Sequence, residues 1–230
     1  MTAQMDERLV LTEAQDFVAR YAPRSYYQSQ YRQMEGDYMP WLCEALATLP
    51  AGRLLDIGPG WGTIPVWLRS RGWEVTVLDF VPLDSDDGFM TAELCSVADI
   101  RYEQINIEQG RLLEQFDVVL MTQVIPHLRW RPDRAIANVA KMVSDEGLFI
   151  TSVLSAGDYP ALTGEYGQNW NTVPEFERGK EQPSVEDVVV MCMYDEESFQ
   201  RLLWTAFGWV QTWQPSRATT IFGQCKQPRR

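Results

Sequence analysis

Hydrophobic positions along the chain recur with two different periods, and the switches between them outline its architecture. Through the first fifty residues the spacing is helical. Trp41, Leu42, Ala45, Leu46 and Leu49 fall on one face, and Pro50-Ala51-Gly52 stops the pattern. From Arg53 onward, short apolar runs alternate with amphipathic stretches. Arg53–Ile57 predicts a strand, followed by a helix over Pro65–Arg71 with proline in its first turn, where no amide is missed. Glu74–Asp79, rich in β-branched residues, predicts a second strand. Phe89–Ala98 then predicts a helix and Ile100–Ile105 a third strand. Phe116–Met121 is apolar almost throughout, as a strand covered on both faces requires. Asp133 is placed to N-cap a helix whose Ile136, Val139, Ala140 and Val143 form a stripe. Gly147 is expected to end that helix before a fifth strand at Leu148–Val153.

Strands alternating with helices predict a parallel sheet covered by helices on both sides. The alternation breaks at Ser155. Residues 155–194 read as loop, with Pro160, Pro174, Pro183 and the aromatics Tyr159, Tyr166, Trp170 and Phe176, and a stretch of that length suits a lid or binding loop. Val188–Met193 within it is strand-sized. Regularity returns with a helix over Glu197–Phe207, then two strands, Trp209–Trp213 and Ala218–Cys225, close enough to pair as an antiparallel hairpin. The organisation expected is one domain over residues 1–230. It comprises a helical cap (1–49), a core (50–154), an insertion or lid (155–194), and a last helix with a strand pair (195–230).

Composition narrows the function classes. The 230 residues carry 20 Lys+Arg against 32 Asp+Glu, a formal charge of −12, which opposes a phosphate-neutralising grip on nucleic acid or anionic lipid. Cys43, Cys95, Cys192 and Cys225 lack zinc or redox spacing, and with a single histidine no metal site is expected. No basic start followed by an apolar run opens the chain, and no apolar stretch approaches 18 residues, so a cytoplasmic location is the expectation.

The stretch that carries chemistry is Leu54-Leu55-Asp56-Ile57-Gly58-Pro59-Gly60-Trp61-Gly62-Thr63. A strand runs into alternating glycines, which let backbone approach a ligand, and then into a helix start whose free N–H groups favour a polar or anionic group. A dinucleotide site needs G-x-G-x-x-G, but Thr63 holds the third slot. Asp56 before the turn would also repel a diphosphate, whereas it suits a ligand with a cation. Asp79, closing the second strand, can accept both hydrogen bonds of a ribose diol. Together the two acids point to a nucleoside with an amino group and no phosphates.

In these residues the chain resembles the class I S-adenosylmethionine-dependent methyltransferases. Asp56-x-Gly58-x-Gly60-x-Gly62 with Asp79 is similar to that family's cofactor signature. Phe116-Asp117-Val118-Val119-Leu120 followed by Val124-Ile125-Pro126-His127-Leu128 resembles its fourth strand and "v-l-x-H-l" continuation. Asp145–Ile150 and Phe207-Gly208-Trp209-Val210 resemble the entries to its fifth and sixth strands. The resemblance covers residues 50–154 and 195–225.

It implies a Rossmann-like, doubly wound α/β sheet of seven strands, mostly parallel, with an antiparallel C-terminal hairpin strand. It also implies S-adenosyl-L-methionine as cofactor. Gly58, Gly60 and Gly62 would pass under its methionine and ribose portion with Asp56 near the amino group. Asp79 would hold the ribose and Phe80 lie against adenine, with Asn106 and Ile107 at the adenine edge. Gln123 would face the cofactor, and Tyr27 or Arg32 would reach its carboxylate. Tyr27 with Tyr31 is equally an i, i+4 pair packing on the sheet. His127 is the candidate general base, or else a structural residue. Trp67 is expected in the core, and Trp61 fits either core or site. Tyr159, Tyr166 and Trp170 are the candidate acceptor pocket, the acceptor being a small organic molecule or glycan precursor. A cofactor-binding regulatory protein without turnover and an NAD-dependent oxidoreductase are the alternatives. The methyl acceptor, the atom methylated and the oligomeric state are not legible.

Overall fold

A computed structural model describes residues 7–21, 32–84, 89–128, 131–155, 162–163, 169–174, 188–214 and 220–229. By compactness the chain divides into two units, one of residues 1–106 with 116–118 and one of residues 107–115 with 119–230. Strands of both belong to one seven-stranded sheet in the order β3 (Arg101–Gln104), β2 (Glu74–Asp79), β1 (Arg53–Ile57), β4 (Phe116–Thr122), β5 (Val143–Leu154), β10 (Thr220–Pro228) and β9 (Phe207–Trp213).

In the first unit, α1 (Glu7–Val18) and α2 (Arg32–Ala47) precede β1 (Arg53–Ile57), α3 (Thr63–Ser70), β2 (Glu74–Asp79), α4 (Ala92–Val97) and β3 (Arg101–Gln104). The strands are parallel, β1 to β2 and β2 to β3. α1 buries Leu11, Ala14 and Val18, positions three and four apart, and packs against α2 and α3. α3 is buried from Thr63 to Leu68. Its last turn is tied down by Arg69, whose guanidinium donates to the Trp73 carbonyl (2.7 Å) and the Ala98 carbonyl (3.3 Å) and pairs with Asp99. β4 (Phe116–Thr122) begins in this unit. The Asp117 carboxylate there accepts from the Arg53 amide at 2.8 Å. It approaches Gly52 so closely that a Cβ on that residue would lie 2.5 Å from the Asp117 Oδ2.

In the second unit, α5 (Pro132–Met142) buries Ala135, Ile136, Val139, Ala140 and Met142 and leads into β5 (Val143–Leu154). Two expectations change here. Arg131, not Asp133, is the N-cap; Pro132 supplies the first turn with its fixed φ. Asp133 lies inside that turn, where the Arg131 guanidinium hydrogen-bonds its carboxylate and holds its pKa low. Nor does Gly147 end the helix. Val143, fully buried and extended, starts the strand directly after Met142, and Gly147 lies within it. A Cβ at Gly147 would stand 2.8 Å from the Ser144 Oγ and 2.9 Å from the Val143 Cγ1, so glycine answers to a close approach within the strand.

The 155–194 stretch also differs from the loop expected. It holds an antiparallel three-stranded sheet of β6 (Leu162–Thr163), β7 (Asn169–Pro174) and β8 (Val188–Met193). The apolar run of β8 supplies the β propensity, and Pro174 is tolerated because it sits at the last pair, opposite Val188. α6 (Glu196–Trp204) follows, N-capped by Asp195, which accepts from the Ser198 amide at 2.7 Å. β9 (Phe207–Trp213) and β10 (Thr220–Pro228) form the expected antiparallel pair, and β10 also pairs antiparallel with β5. Among the described residues no helix is long and apolar enough to cross a membrane.

Candidate cofactor site

The carboxyl ends of β1 and β2 bring the two acids together. β1 and β2 run in register, Asp56 beside Val77, and the Gly58 amide donates to the Leu78 carbonyl at 2.8 Å. Asp56 is buried, at 3% exposure. Burial, with the charge of Asp79 adding to it, raises its pKa to about 8. Asp79 is half-buried and its pKa is also raised, by burial, against the opposing hydrogen bonds from the Val81 and Phe80 amides. A positive charge placed beside two such carboxyls would favour their ionised forms.

Between β1 and α3 the chain turns through three glycines in left-handed conformations, with φ of 66° at Gly58, 55° at Gly60 and 87° at Gly62. At Gly62 the need for glycine is doubled. A Cβ would meet the Met90 Cε at 3.0 Å and the Leu94 Cδ2 at 3.3 Å. Gly62 is also the N-cap of α3 and makes no side-chain cap hydrogen bond.

Beyond Asp79 the backbone is shaped by β3. The Ile105 amide donates to the Asp79 carbonyl at 2.8 Å, the Tyr102 hydroxyl donates to the Val81 carbonyl, and the Gln104 amide reaches the Phe80 carbonyl at 3.4 Å. Phe80 is left 67% exposed while its own main chain is fixed. An exposed aromatic ring on a braced loop can serve as a platform for a flat base.

Asp56, Gly58, Gly60, Gly62, Asp79 and Phe80 are therefore gathered in the first unit. Asn106 ends that unit, directly after Ile105. Ile107, Gln123 and His127 belong to the second. Ile107 is buried, and its carbonyl accepts from the Asn138 side chain at 2.7 Å. Gln123 follows β4 with its side-chain amide donated to Thr220 at 3.2 Å. His127 closes a 3₁₀ turn over Ile125–His127 and is exposed. Tyr27, Tyr159 and Tyr166 lie outside the described residues. Arg32 opens α2, and Trp170 sits on β7 opposite Cys192; neither side chain is among those described.

Comparison with known proteins identifies the architecture. The family model described as "Methyltransferase domain" matches residues 27–210. The chain belongs to this methyltransferase family. The curated relatives it matches include a ubiquinone biosynthesis O-methyltransferase of Rickettsia bellii, 27% identical over 121 residues, or 51% of this chain and 50% of that protein. The chain thus spans about half the length of the curated relatives it matches. Solved structures share the fold. The PH0226 protein of Pyrococcus horikoshii superposes with a TM-score of 0.62 at 14% identity, covering 87% of this chain and 92% of that one. The 1,6-didemethyltoxoflavin-N1-methyltransferase of Burkholderia thailandensis, solved with 1,6-didemethyltoxoflavin and S-adenosylhomocysteine, gives 0.61 at 18% identity over 99% and 91%. The seven-stranded order, with its antiparallel β10, is the methyltransferase sheet implied by the resemblance.

Within this methyltransferase domain the sequence left Trp61 open, and the structure places it in the core: it is 1% exposed and meets Phe89 edge-on with centroids 5.2 Å apart. Trp67 is likewise buried, with the Arg71 guanidinium 4.8 Å from its ring centroid. Sequence reasoning missed the supports of the site: Phe89, Met90 and Leu94 behind the glycine turn, and Tyr102 and Gln104 behind Phe80. No local signal marks them, because each acts through a tertiary contact. It also missed Ser152 and Thr220, polar residues at buried positions of the strands β5 and β10. Polar residues in such strands were the available clue.

Proposed function

We propose that this protein is an S-adenosylmethionine-dependent methyltransferase acting on a small organic molecule. The observation that carries the reading is Asp56, a buried carboxyl beside Asp79, at the mouth of a turn of three left-handed glycines. That set fits an amino-acid nucleoside. A ligand ammonium answers the charge deficit at Asp56, the glycine turn admits a chain without side-chain collision, and Asp79 accepts from a ribose diol. Phe80 would cover one face of the adenine, and Asn106 with Ile107 would meet its edge. A diphosphate fits poorly, since its charge would face two acids.

Bound there, S-adenosylmethionine supplies an electrophilic methyl group on a sulfonium that leaves as a neutral thioether. The chain's task is then to hold the donor still, align an acceptor in line with it and exclude water, effects worth up to roughly 7–11 kcal/mol in ideal cases. His127, exposed on its turn, can take a proton from an acceptor hydroxyl or ammonium, a step that a thiolate or carboxylate acceptor does not need. The three-stranded sheet of the 155–194 insertion, which carries Trp170, would supply the acceptor's surface.

The small-molecule class is supported by the names of two similar proteins, a ubiquinone biosynthesis O-methyltransferase and a 1,6-didemethyltoxoflavin-N1-methyltransferase, and by the charge of −12, which disfavours nucleic acid. Their acceptor atoms differ, so the atom methylated is left to experiment. Calorimetric titration with S-adenosylmethionine, S-adenosylhomocysteine and NAD tests the donor: tight binding of NAD alone would reject it. Methyl transfer to a panel of phenols, amines, thiols and sugar nucleotides tests the acceptor class, and turnover on an RNA or protein substrate alone would reject a small molecule.

A further inference from the structure

Gln123 is the first residue after β4, and its backbone is left-handed, at φ 58°. Such a conformation is uncommon for a residue with a long side chain; glycine or asparagine adopts it more readily. Three hydrogen bonds hold it there. The Gln123 amide is shared between the Ser152 carbonyl (3.1 Å) and the Ser152 hydroxyl (3.2 Å), while its side-chain amide donates to the Thr220 hydroxyl (3.2 Å). Both partners are buried, Ser152 at 0% and Thr220 at 7% exposure, on β5 and β10.

The residue so fixed decides where the next four point. Val124, in helical conformation, opens the 3₁₀ turn, and its carbonyl accepts from the His127 amide at 2.9 Å. Ile125 and Pro126 are buried, and His127 emerges exposed. A plain chain reversal would need only glycine. Here a strained residue is locked to two other strands, the pattern found where geometry is held for a purpose.

We propose that Gln123 is a positioning residue of the transfer reaction, clamped by Ser152 and Thr220 so that the turn after β4 presents His127 in a fixed direction. The inference rests on the methyltransferase reading. It leaves standing the expectation that Gln123 faces the cofactor, since a side-chain amide that donates one N–H to Thr220 keeps its second N–H and its carbonyl oxygen.

The test exploits the single histidine of the chain, whose imidazole Cε1–H gives one proton–carbon signal to follow. The signal and its pH titration are followed in wild type, Thr220→Val, Thr220→Ser and Gln123→Gly, alongside thermal melting and S-adenosylhomocysteine affinity. Thr220→Val and Gln123→Gly are expected to displace and broaden the imidazole signal, and Thr220→Ser, which keeps the hydroxyl, to restore the wild-type spectrum. With any acceptor that turns over, kcat falls about tenfold or more in Thr220→Val and Gln123→Gly, while the nucleoside affinity of Thr220→Val stays within about twofold. A signal and titration unchanged in both Thr220→Val and Gln123→Gly, whatever their melting temperatures, would overturn the clamp. Failure of the wild type to bind S-adenosylhomocysteine would instead remove the methyltransferase reading and leave the imidazole result intact.

Discussion

Asp56 carries a carboxyl whose ionisation is opposed first by its burial and then by the charge of Asp79, at the end of the adjacent strand. With a pKa of about 8 against an ordinary 3.8, Asp56 is largely protonated at neutral pH when no ligand is bound. A ligand ammonium must displace that proton. Binding of S-adenosylhomocysteine at pH 7 is therefore expected to release about one proton from Asp56, read as a dependence of calorimetric enthalpy on the buffer's ionisation heat. Asp56→Asn should abolish the release and weaken binding. A buffer-independent enthalpy in the wild type would show that no cation meets Asp56.

The same carboxyl sets a stability trend. Its folded pKa lies above the unfolded value, so the ligand-free folded state binds more protons than the unfolded state between about pH 4 and 8. Stability from this group is present below that window and lost as pH rises through it. Asp79, shifted in the same direction, reinforces the trend. Asp133 and Asp195 are shifted downward, so their contributions change only under acidic conditions. Melting temperature without ligand should fall from pH 6 to 8.5, and Asp56→Asn should flatten that slope.

Asp79 and Phe80 separate two parts of nucleoside binding. Asp79→Ala should cost about 1–3 kcal/mol of affinity by removing the charged acceptor for the diol. Phe80→Ala should cost a similar amount, about 1–3 kcal/mol, if adenine stacks on the ring. Because Phe80 is exposed, its loss should change folding stability by less than about 0.5 kcal/mol. Unchanged affinity in the Phe80 variant would place the base elsewhere.

Gly52→Ala offers a test of packing away from the site. Its new methyl would strike the Asp117 carboxylate that holds the Arg53 amide, and a loss of about 1–3 kcal/mol is expected in denaturant unfolding. In an Asp117→Ala background the added penalty should largely vanish, and a fully additive double mutant would contradict the collision.

How much of this was legible depends on whether the deciding contact is local. β1 and β2 were readable to the residue, because an apolar run bounded by glycine or by charge is a local signal. The glycine turn and its two acids were readable for the same reason, whereas the burial of Asp56 emerged only in the structure. The α5–β5 boundary was not. Gly147 reads locally as a helix stop, yet the buried, β-branched Val143 had already turned the chain into the sheet. β7 was invisible because Asn169–Pro174 is largely polar and becomes a strand only against β8. The Gln123 side chain meets a hydroxyl 97 positions away, a pairing no window of sequence can show.

The strand order has a consequence for biogenesis. Among the described residues β9 pairs with β10, which is inserted between it and β5. As the polypeptide leaves the ribosome, β9 emerges first yet has no docking partner until the segment after it arrives. The β5 margin stays open for the same interval. Any nascent or truncated species ending before Thr220 would thus expose an unsatisfied sheet margin and a stray ribbon together, making it a natural client for chaperones and proteases.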